Sequence, residues 1–502
     1  MYFRHVLFII LLSFSTNLQQ ISAQQLQQIG NELFGTVADE EFGFVHKISD
    51  NGQRLIIGNV HIPAANAKGV VVYEKNGQED WEILEVVSVS DSDDYIRGAA
   101  VAISDDGHQI AFYTDRSAEN LSGYVSVYDW NSEEGRYDLR GDTLQDQDQP
   151  RYGQAVVLSG DGNTLVFRQS PVDTEGEQTL LYKWDGVQWV KQDVQGIENN
   201  GFSPYEYVLS DDGTILAAGN LFFETRGEIR VFEDVENSWQ QRGSAIYGDA
   251  PEDVLGSGGI HLSSSGDTLL IASPFDGIPN SDANGTIKVF EWTGSEWDPL
   301  GNTIAYSEEE PSLGAAADIS EDGRTIIAGG FGSTINGAVT GRLTAYQLQG
   351  ANWTQVGEPV FGPGNSLFAY ELSASGDMET ISVASYQFDD PLMDAGRIQF
   401  FQIAGLVSGL TGDLKLLNAS VKLSPNPARG QMQLEYELPN DMPLRITLVS
   451  PSGQLIRTID SFVNQMAGTH RRAVSLKGVP KGTYFIRFQS NDRILTKPVV
   501  IR

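Results

Sequence analysis

The residues best equipped for chemistry in this chain are clustered carboxylates. Asp91, Asp93 and Asp94 lie within four positions, and Asp146 and Asp148 are separated by one residue. Several oxygen ligands at such short spacing suit a hard cation such as calcium, which makes these five the candidate metal ligands. Neither group has the spaced loop with a closing glutamate that marks a dedicated calcium loop, and a solvated acidic turn is the competing reading. Thiol catalysis and thiolate metal sites are excluded, because the chain has no cysteine. Its six histidines (His5, His46, His61, His108, His261 and His470) never fall in a His-x-x-x-His or His-Glu-x-x-His pattern. There is no Gly-x-Ser-x-Gly nucleophile elbow, and "GSGGIH" at Gly256–His261 fails the dinucleotide fingerprint. With 67 Asp and Glu in the chain, carboxylate pairs at glycosidase spacing single out no residue. No catalytic residue is assigned.

Whatever site exists must be held by a phrase that recurs seven times. The copies start at Ile48 (ISDNGQRLIIG), Ile103 (ISDDGHQIAFY), Leu158 (LSGDGNTLVFR), Leu209 (LSDDGTILAAG), Leu262 (LSSSGDTLLIA), Ile319 (ISEDGRTIIAG) and Leu372 (LSASGDMETIS). Their glycines, Gly52, Gly107, Gly162, Gly213, Gly266, Gly323 and Gly376, are 55, 55, 51, 53, 57 and 53 residues apart. A period of this size points to a propeller or an array. Ser and Asp of the phrase can bond nearby backbone N–H groups, and Gly supplies the positive φ that closes a hairpin.

Around each phrase lie four runs of alternating apolar and polar residues with turn residues between them, the signature of antiparallel strands. Four strands repeated seven times predict a seven-bladed β-propeller over residues 24–405. The last repeat lacks an outer strand, while Leu26–Thr36 (LQQIGNELFGT) resembles the outer strands at Trp239 and Trp353. The N-terminal segment is therefore expected to supply the fourth strand of the last blade and so remove an open sheet edge. All eight tryptophans occupy repeat-framework positions, which favours packing between blades over a sugar platform.

The repeat resembles secreted bacterial propeller repeats, and is similar in outline to WD40-like and FG-GAP-like repeats. That resemblance covers about residues 26–403 and implies a fold more than a function. It lacks the spacing of a sialidase Asp box and the Gly-His and Trp-Asp marks of true WD40 blades. In a propeller, the loops from strand two to three and from each blade to the next share one face. Here those loops vary most and carry the acids, including Asp249, Glu252, Asp253 and Glu308, Glu309, Glu310. A constant framework with one variable face is the arrangement of a binding scaffold.

Residues 1–23 have a short basic start, an apolar run at Val6–Leu12 and an Ile-Ser-Ala end, as expected of a secretory signal peptide. The run is too short for a membrane-spanning helix, so no transmembrane anchor is expected. The formal charge of −34 is unevenly placed, with 12 Lys and Arg against 5 Asp and Glu from Ala419 onward. Such a break in charge marks a domain boundary. The acidic bulk excludes a nucleic-acid partner, which needs a basic face.

After a linker at 406–418, residues 419–502 alternate strands with Pro, Gly and Asn turns and read as a small Ig-like β-sandwich. Pro425-Asn426-Pro427, Ser452-Gly453-Gln454, Leu476, Val479-Pro480, Gly482, Tyr484 and the closing Lys497 with Val499-Val500-Ile501 occur in that order. With these residues the segment resembles the type A C-terminal sorting domain of the type IX secretion system of Bacteroidetes. Two departures are "LVSPSG" in place of an Asp-containing turn and a terminal Arg. The resemblance implies the type IX machinery as a partner and delivery to the cell surface or medium. The expected function is a surface-exposed or secreted binding propeller whose ligand is a glycan or a protein. A polysaccharide-acting hydrolase or lyase and a surface-layer component are the alternatives.

Overall fold

The computed structural model describes residues 25–404 and 421–502, apart from 39, 63–66, 89–93, 117–122, 145–149, 172–177, 195–196, 198–201, 252, 278–283, 306–311, 336–337, 365, 390–391, 439–441, 450–454, 467 and 491–492. The expected signal peptide (1–23), the linker (406–418), Asp91, Asp93, Asp146, Asp148 and Gly453 lie outside the described residues. Asp94 opens the strand Asp94–Ile103.

The repeated phrase acts as a hairpin lock. In the fourth copy Ser210 Oγ accepts the Ile215 N–H at 3.0 Å and donates to Asp212 Oδ1 at 2.8 Å, while Asp212 accepts the Thr214 N–H at 3.0 Å. Gly213, at φ 64°, closes the turn by donating to Ser210 O at 2.9 Å. The seventh copy departs from the reading based on Gly376. There the turn residue is Met378, at φ 57°, donating to Ser375 O at 2.8 Å. Ser375 donates to Asp377 at 2.7 Å and accepts the Thr380 N–H at 3.0 Å. The lock is thus Ser375-Gly376-Asp377-Met378, two residues later than the apolar pattern suggests. A non-glycine residue in that backbone region costs on the order of 1 kcal/mol, which the two side-chain bonds offset.

Seven antiparallel sheets result among the described residues, five of four strands and two of five. The first contains His46–Ile48, Arg54–Ile62, Ala67–Lys75 and Trp81–Ser88 in hydrogen-bonded order. The seventh contains Leu372–Ala374, Ile381–Ser385, Arg397–Ala404 and, as its fourth strand, Gln25–Phe34 from the start of the chain. Two outer strands expected to be continuous are split. Ser238–Gln241 and Ile246–Tyr247 both pair with Glu228–Val235, and Trp297–Pro299 and Ile304–Ala305 both pair with Asn284–Trp292. Gly243 (φ 76°) and Gly301 (φ 80°) stand in these breaks. A Cβ there would meet the Trp292 ring at 2.8 Å and the Trp353 ring at 2.7 Å, so glycine is needed for close approach as well as for conformation.

Sheet packs on sheet through a repeated latch. The Trp189, Trp297 and Trp353 indoles donate to the carbonyls of Arg140, Arg242 and Leu300, each on the preceding sheet, at 3.0, 3.0 and 2.8 Å. Arg54, Arg140 and Arg242 lie 4.4, 4.7 and 4.6 Å over the rings of Trp130, Trp184 and Trp292. Trp239 is fully buried; removing a ring buried in this way costs roughly 3–5 kcal/mol. The tryptophans are framework residues.

The first strands touch one another in cyclic order, and His46–Ile48 contacts Leu372–Ala374 as well as Asp94–Ile103. A belt of main-chain hydrogen bonds runs beside them through the hairpin turns. Asn51 N–H donates to Asp105 O, Asp105 to Gly160, Asp161 to Asp211, Asp211 to Ser264, Ser264 to Glu321, Glu321 to Gly376 and Gly376 to Asp50, at 2.7–3.2 Å.

Residues 421–502 pack two layers around Met432, Leu434, Tyr436, Leu444, Ile446, Leu448, Ile486 and Phe488. Gln431–Leu438 alternates exposed and buried positions, as a strand with one face on a core must. Lys422–Arg429 joins the layers. It pairs antiparallel with Gln431–Leu438 and, through Ala428, parallel with Ile501.

Candidate functional site

The first strands carry polar side chains where an inner strand would ordinarily be apolar. At the position just before each phrase stand Lys47, His261 and Asp318; two residues earlier stand Glu206 and Glu371. The last of these depends on the shifted register of the seventh lock. Glu206 and Glu371 come from the fourth and seventh sheets, which are not neighbours, yet both feel the charge of Lys47 on the first sheet. Charges from non-adjacent sheets meet only across the interior of the ring.

Three tiers follow along these strands. At the first tier Tyr205-Glu206 and Tyr370-Glu371 place a tyrosine and a glutamate side by side in sequence. Burial pushes the Glu371 carboxyl up to about 7, against the pull of Lys47 and aided by the charge of Glu206. Burial raises Glu206 as well, opposed by Lys47, His261 and Arg168. Neither glutamate side chain accepts a hydrogen bond from a described residue. Aromatic rings pack against the tyrosine that precedes each. Tyr370 lies 5.6 Å from Tyr386 and 5.4 Å from Phe331, and Tyr386 lies 5.0 Å from Phe44. Tyr205 lies 5.2 Å from Phe222 and has the Arg168 guanidinium 3.6 Å from its ring centre. Phe222 and Phe44 are 62% and 37% exposed, unusual for large apolar rings and available to a ligand.

At the second tier His261 Nδ1 meets Asp318 Oδ1 at 3.2 Å. Asp318 also accepts the N–H groups of Ile319 and Ala374, each at 2.9 Å. Burial alone would raise Asp318; His261, Lys47 and the Ala374 N–H outweigh it and hold the carboxylate below its ordinary range. The other described histidines are elsewhere. His46 is buried, bonded to Gly43 O at 2.6 Å, and pushed down to about 4 by burial. His108 is paired with Asp106 on the surface, and His470 stacks on Tyr436 in the C-terminal domain.

The third tier is the turn itself, one residue past the serine. Here one carboxylate oxygen from each of Asp50, Asp105 and Asp211 lies within 4.8 Å of the other two. Burial, then the neighbouring carboxylates, raise Asp50 far above the usual range and Asp105 to about 9. Asp211 is raised by burial despite accepting the Ser264 hydroxyl.

The residues singled out by sequence are therefore not the ones the fold brings together. Asp249 and Asp253 are described, but Asp249 pairs with Lys288 at 2.8 Å and Asp253 accepts its own Ala250 N–H at 2.5 Å. Asp50, Asp105, Asp211, Glu206 and Glu371 are separated by tens to hundreds of residues. The available signal was positional: a polar residue at the same offset from the phrase in different copies.

In the C-terminal domain the motif residues divide by role. Leu476 and Tyr484 are buried in the core, whereas Pro425, Asn426, Pro427, Pro480 and Gly482 are exposed. Asn426 Oδ1 accepts the Val500 N–H at 2.9 Å, tying the first motif to the last strand.

Comparison with known proteins agrees with this division. Residues 422–502 match the family described as "Secretion system C-terminal sorting domain". The protein is thus an exported β-propeller protein carrying a type IX sorting domain, delivered to the cell surface or the medium. No curated protein matches the chain. Among solved structures, it is similar to a periplasmic gluconolactonase of Pseudomonas aeruginosa at 15% identity and TM-score 0.43, covering 84% of this chain and 99% of that one. It is also similar to the Cps50 (Swd1) β-propeller domain of Myceliophteria thermophila at 11% identity and TM-score 0.44, covering 75% and 99%. An oligogalacturonate lyase in complex with manganese matches at 12% identity and TM-score 0.44, covering 75% and 98%. Among the described residues no helix is long and apolar enough to cross a membrane.

Proposed function

We propose that this protein is a surface or secreted binding module, a seven-bladed ring closed by its N-terminal strand, that grips a saccharide chain where Tyr205-Glu206 and Tyr370-Glu371 converge. The observation that carries the reading is that two glutamates without a hydrogen-bond partner among the described residues, Glu206 and Glu371, each follow a tyrosine that packs against other aromatic rings. A sugar presents C–H faces that pack on aromatic rings and hydroxyls that bond to carboxyl oxygens, and this tier supplies both. The unpartnered state of Glu206 and Glu371 supports it, since a buried polar group without a partner is costly unless a ligand or water satisfies it.

One observation favours a second reading, a polysaccharide hydrolase or lyase. Glu371 holds its proton to about 7 beside a second glutamate. Two carboxyls with separated protonation can serve as acid and base. A glycan- and polysaccharide-array screen of the purified protein, with the same samples assayed for released reducing ends, separates the two. Saturable binding without product, weakened about tenfold or more by Tyr370→Ala, is the expected result. Product release abolished by Glu371→Gln would establish the enzyme instead, and silence in both assays would remove the saccharide reading.

A further inference from the structure

The His261–Asp318 pair of the second tier is used by neither reading, and its bonding fixes a property of the imidazole ring. Both oxygens of Asp318 face main-chain donors: Oδ1 accepts the Ile319 N–H and Oδ2 the Ala374 N–H, each at 2.9 Å. Asp318 is thus held as a carboxylate, which accepts hydrogen bonds and donates none. Its neighbour at 3.2 Å, His261 Nδ1, must then carry a hydrogen. In the neutral imidazole this leaves the lone pair on Nε2, the far nitrogen of the ring.

That nitrogen takes no hydrogen bond from any of the described residues. The backbone beside it is bare, since a Cβ on Gly259 would fall 3.0 Å from Nε2. Gly259 stands at the same offset from its phrase as Glu206 and Glu371 do from theirs. Nε2 therefore borders the tyrosine–glutamate tier, and Glu206 on the neighbouring fourth sheet feels the charge of His261. The cations nearby are already committed. Lys47 lends its charge to Glu206, Asp318 and Glu371 alike, and the Arg168 guanidinium lies 3.6 Å from the centre of the Tyr205 ring. The tier thus offers acceptors, two carboxyls and an imidazole nitrogen, with no positive charge in surplus for an anionic group.

We propose that His261 Nε2 is a ligand-contacting acceptor positioned by Asp318, and that with Glu206 and Glu371 it selects a neutral saccharide, through hydroxyl hydrogens, over a uronic or sulphated one. This deepens the saccharide reading and rests on it. A sugar hydroxyl can donate to each acceptor. A carboxylate or sulphate would instead set its oxygens against the Nε2 lone pair and the Glu206 and Asp318 carboxyls, a repulsion that an enclosed interior does not screen. Asp318 acts on the ligand only through the imidazole, whose tautomer and orientation it sets.

Two measurements on the full chain test it. Nitrogen NMR of protein carrying isotopically labelled histidine, at about pH 8 and so above the ordinary imidazole range, should show His261 with its hydrogen on Nδ1 and a bare Nε2. The signal is assigned by its loss in His261→Ala. A hydrogen on Nε2 overturns the proposal without any ligand. The second measurement is binding to an array of neutral polysaccharides (glucan, mannan, galactan) and anionic ones (alginate, pectate, sulphated galactan). The neutral set should bind at least about tenfold more tightly, and His261→Ala should weaken that binding about tenfold. Asp318→Asn sets an amide N–H against one of its donors, so the Nδ1–H signature and the affinity should fall together. Where either variant fails to melt as a folded protein, the parent's tautomer and its preference between the two sets still decide. Binding that His261→Ala retains in full while Tyr370→Ala loses it overturns this proposal and leaves the saccharide reading standing, as does a preference for the anionic set. Binding to no saccharide on the array removes the saccharide reading and this proposal with it.

Discussion

The propeller and the C-terminal domain are both built from strands, but they bring sequence and structure together differently. In the propeller each sheet is made of consecutive hairpins, and distant pairing is confined to the seventh sheet, where Gln25–Phe34 meets Arg397–Ala404. In the sorting domain distant pairings are as many as those between consecutive strands. Lys422–Arg429 lies beside the last strand, and Gln431–Leu438 pairs with Gly468–Ser475 rather than with its successor. The propeller is acidic and the sorting domain basic. A ring of local units tolerates change unit by unit, whereas a sandwich of distant strands stands or falls as a whole. The same division holds for the residues singled out: the sorting motifs lie in order along a short domain, whereas the acidic side chains at the hairpin turns of the propeller come from many copies of one phrase.

Three experiments press on this contrast. The largest effect is expected from deleting residues 419–502. Export should be lost while the propeller keeps its own melting transition, read by cell fractionation and calorimetry. Surface delivery of the truncated protein would contradict the assignment of export to that domain. Next, deleting Gln25–Phe34 should expose Arg397–Ala404 as an unpaired edge. The expected result is oligomers on size-exclusion chromatography with the sorting domain still folded; a stable monomer would mean that the N-terminal strand does not close the ring.

The smallest effect concerns one interior side chain. Glu371 keeps its proton to about 7 in the fold, against an ordinary value of 4.5. The folded protein therefore binds an extra proton between those values, and this contribution to stability is full below about 4.5 and lost as the pH rises through 7. Denaturant unfolding at pH 5 and pH 8 should show a loss attributable to Glu371 on the order of 1–3 kcal/mol. Glu371→Gln should flatten that part of the profile. Parallel profiles for parent and variant would show that the side chain is not held as described.

Much of the fold was legible because a turn with a chemical mechanism recurs. Ser, Asp and Gly each have one job in the lock, and seven copies give seven sheets. The sequence pattern misleads where that chemistry is replaced: Met378 stands where six copies have glycine, and Gly376, two residues earlier, imitates the turn residue. The splits in the outer strands are not marked in the sequence, because Gly243 and Gly301 sit within otherwise strand-like runs. The site was less legible for a physical reason. Asp50 and Asp211, or Glu206 and Glu371, have no shared neighbourhood in the chain, and only closure of the ring makes them neighbours. The acidic runs that did stand out, such as Asp91-Ser92-Asp93-Asp94, owe their density to loop solubility as readily as to ligation.

The belt of hydrogen bonds through the hairpin turns uses only main-chain atoms. Its seven stations are occupied by Asp50, Asp105, Gly160, Asp211, Ser264, Glu321 and Gly376; all seven accept through the main-chain carbonyl, and five also donate, with Asn51 and Asp161 donating beside Asp50 and Gly160. The bonds themselves thus do not call for any particular side chain at a station. The side chains are less free than the bonds: a Cβ on Gly160 would fall 2.1 Å from Asp105 Oδ2 and one on Gly376 2.3 Å from Asp50 Oδ2, so a glycine station gains a side chain only if the neighbouring acid gives way. The interior wall behaves as a set of letters coupled to their neighbours, and two proteins of this architecture can share every strand while spelling different words along it, provided small and acidic letters change together.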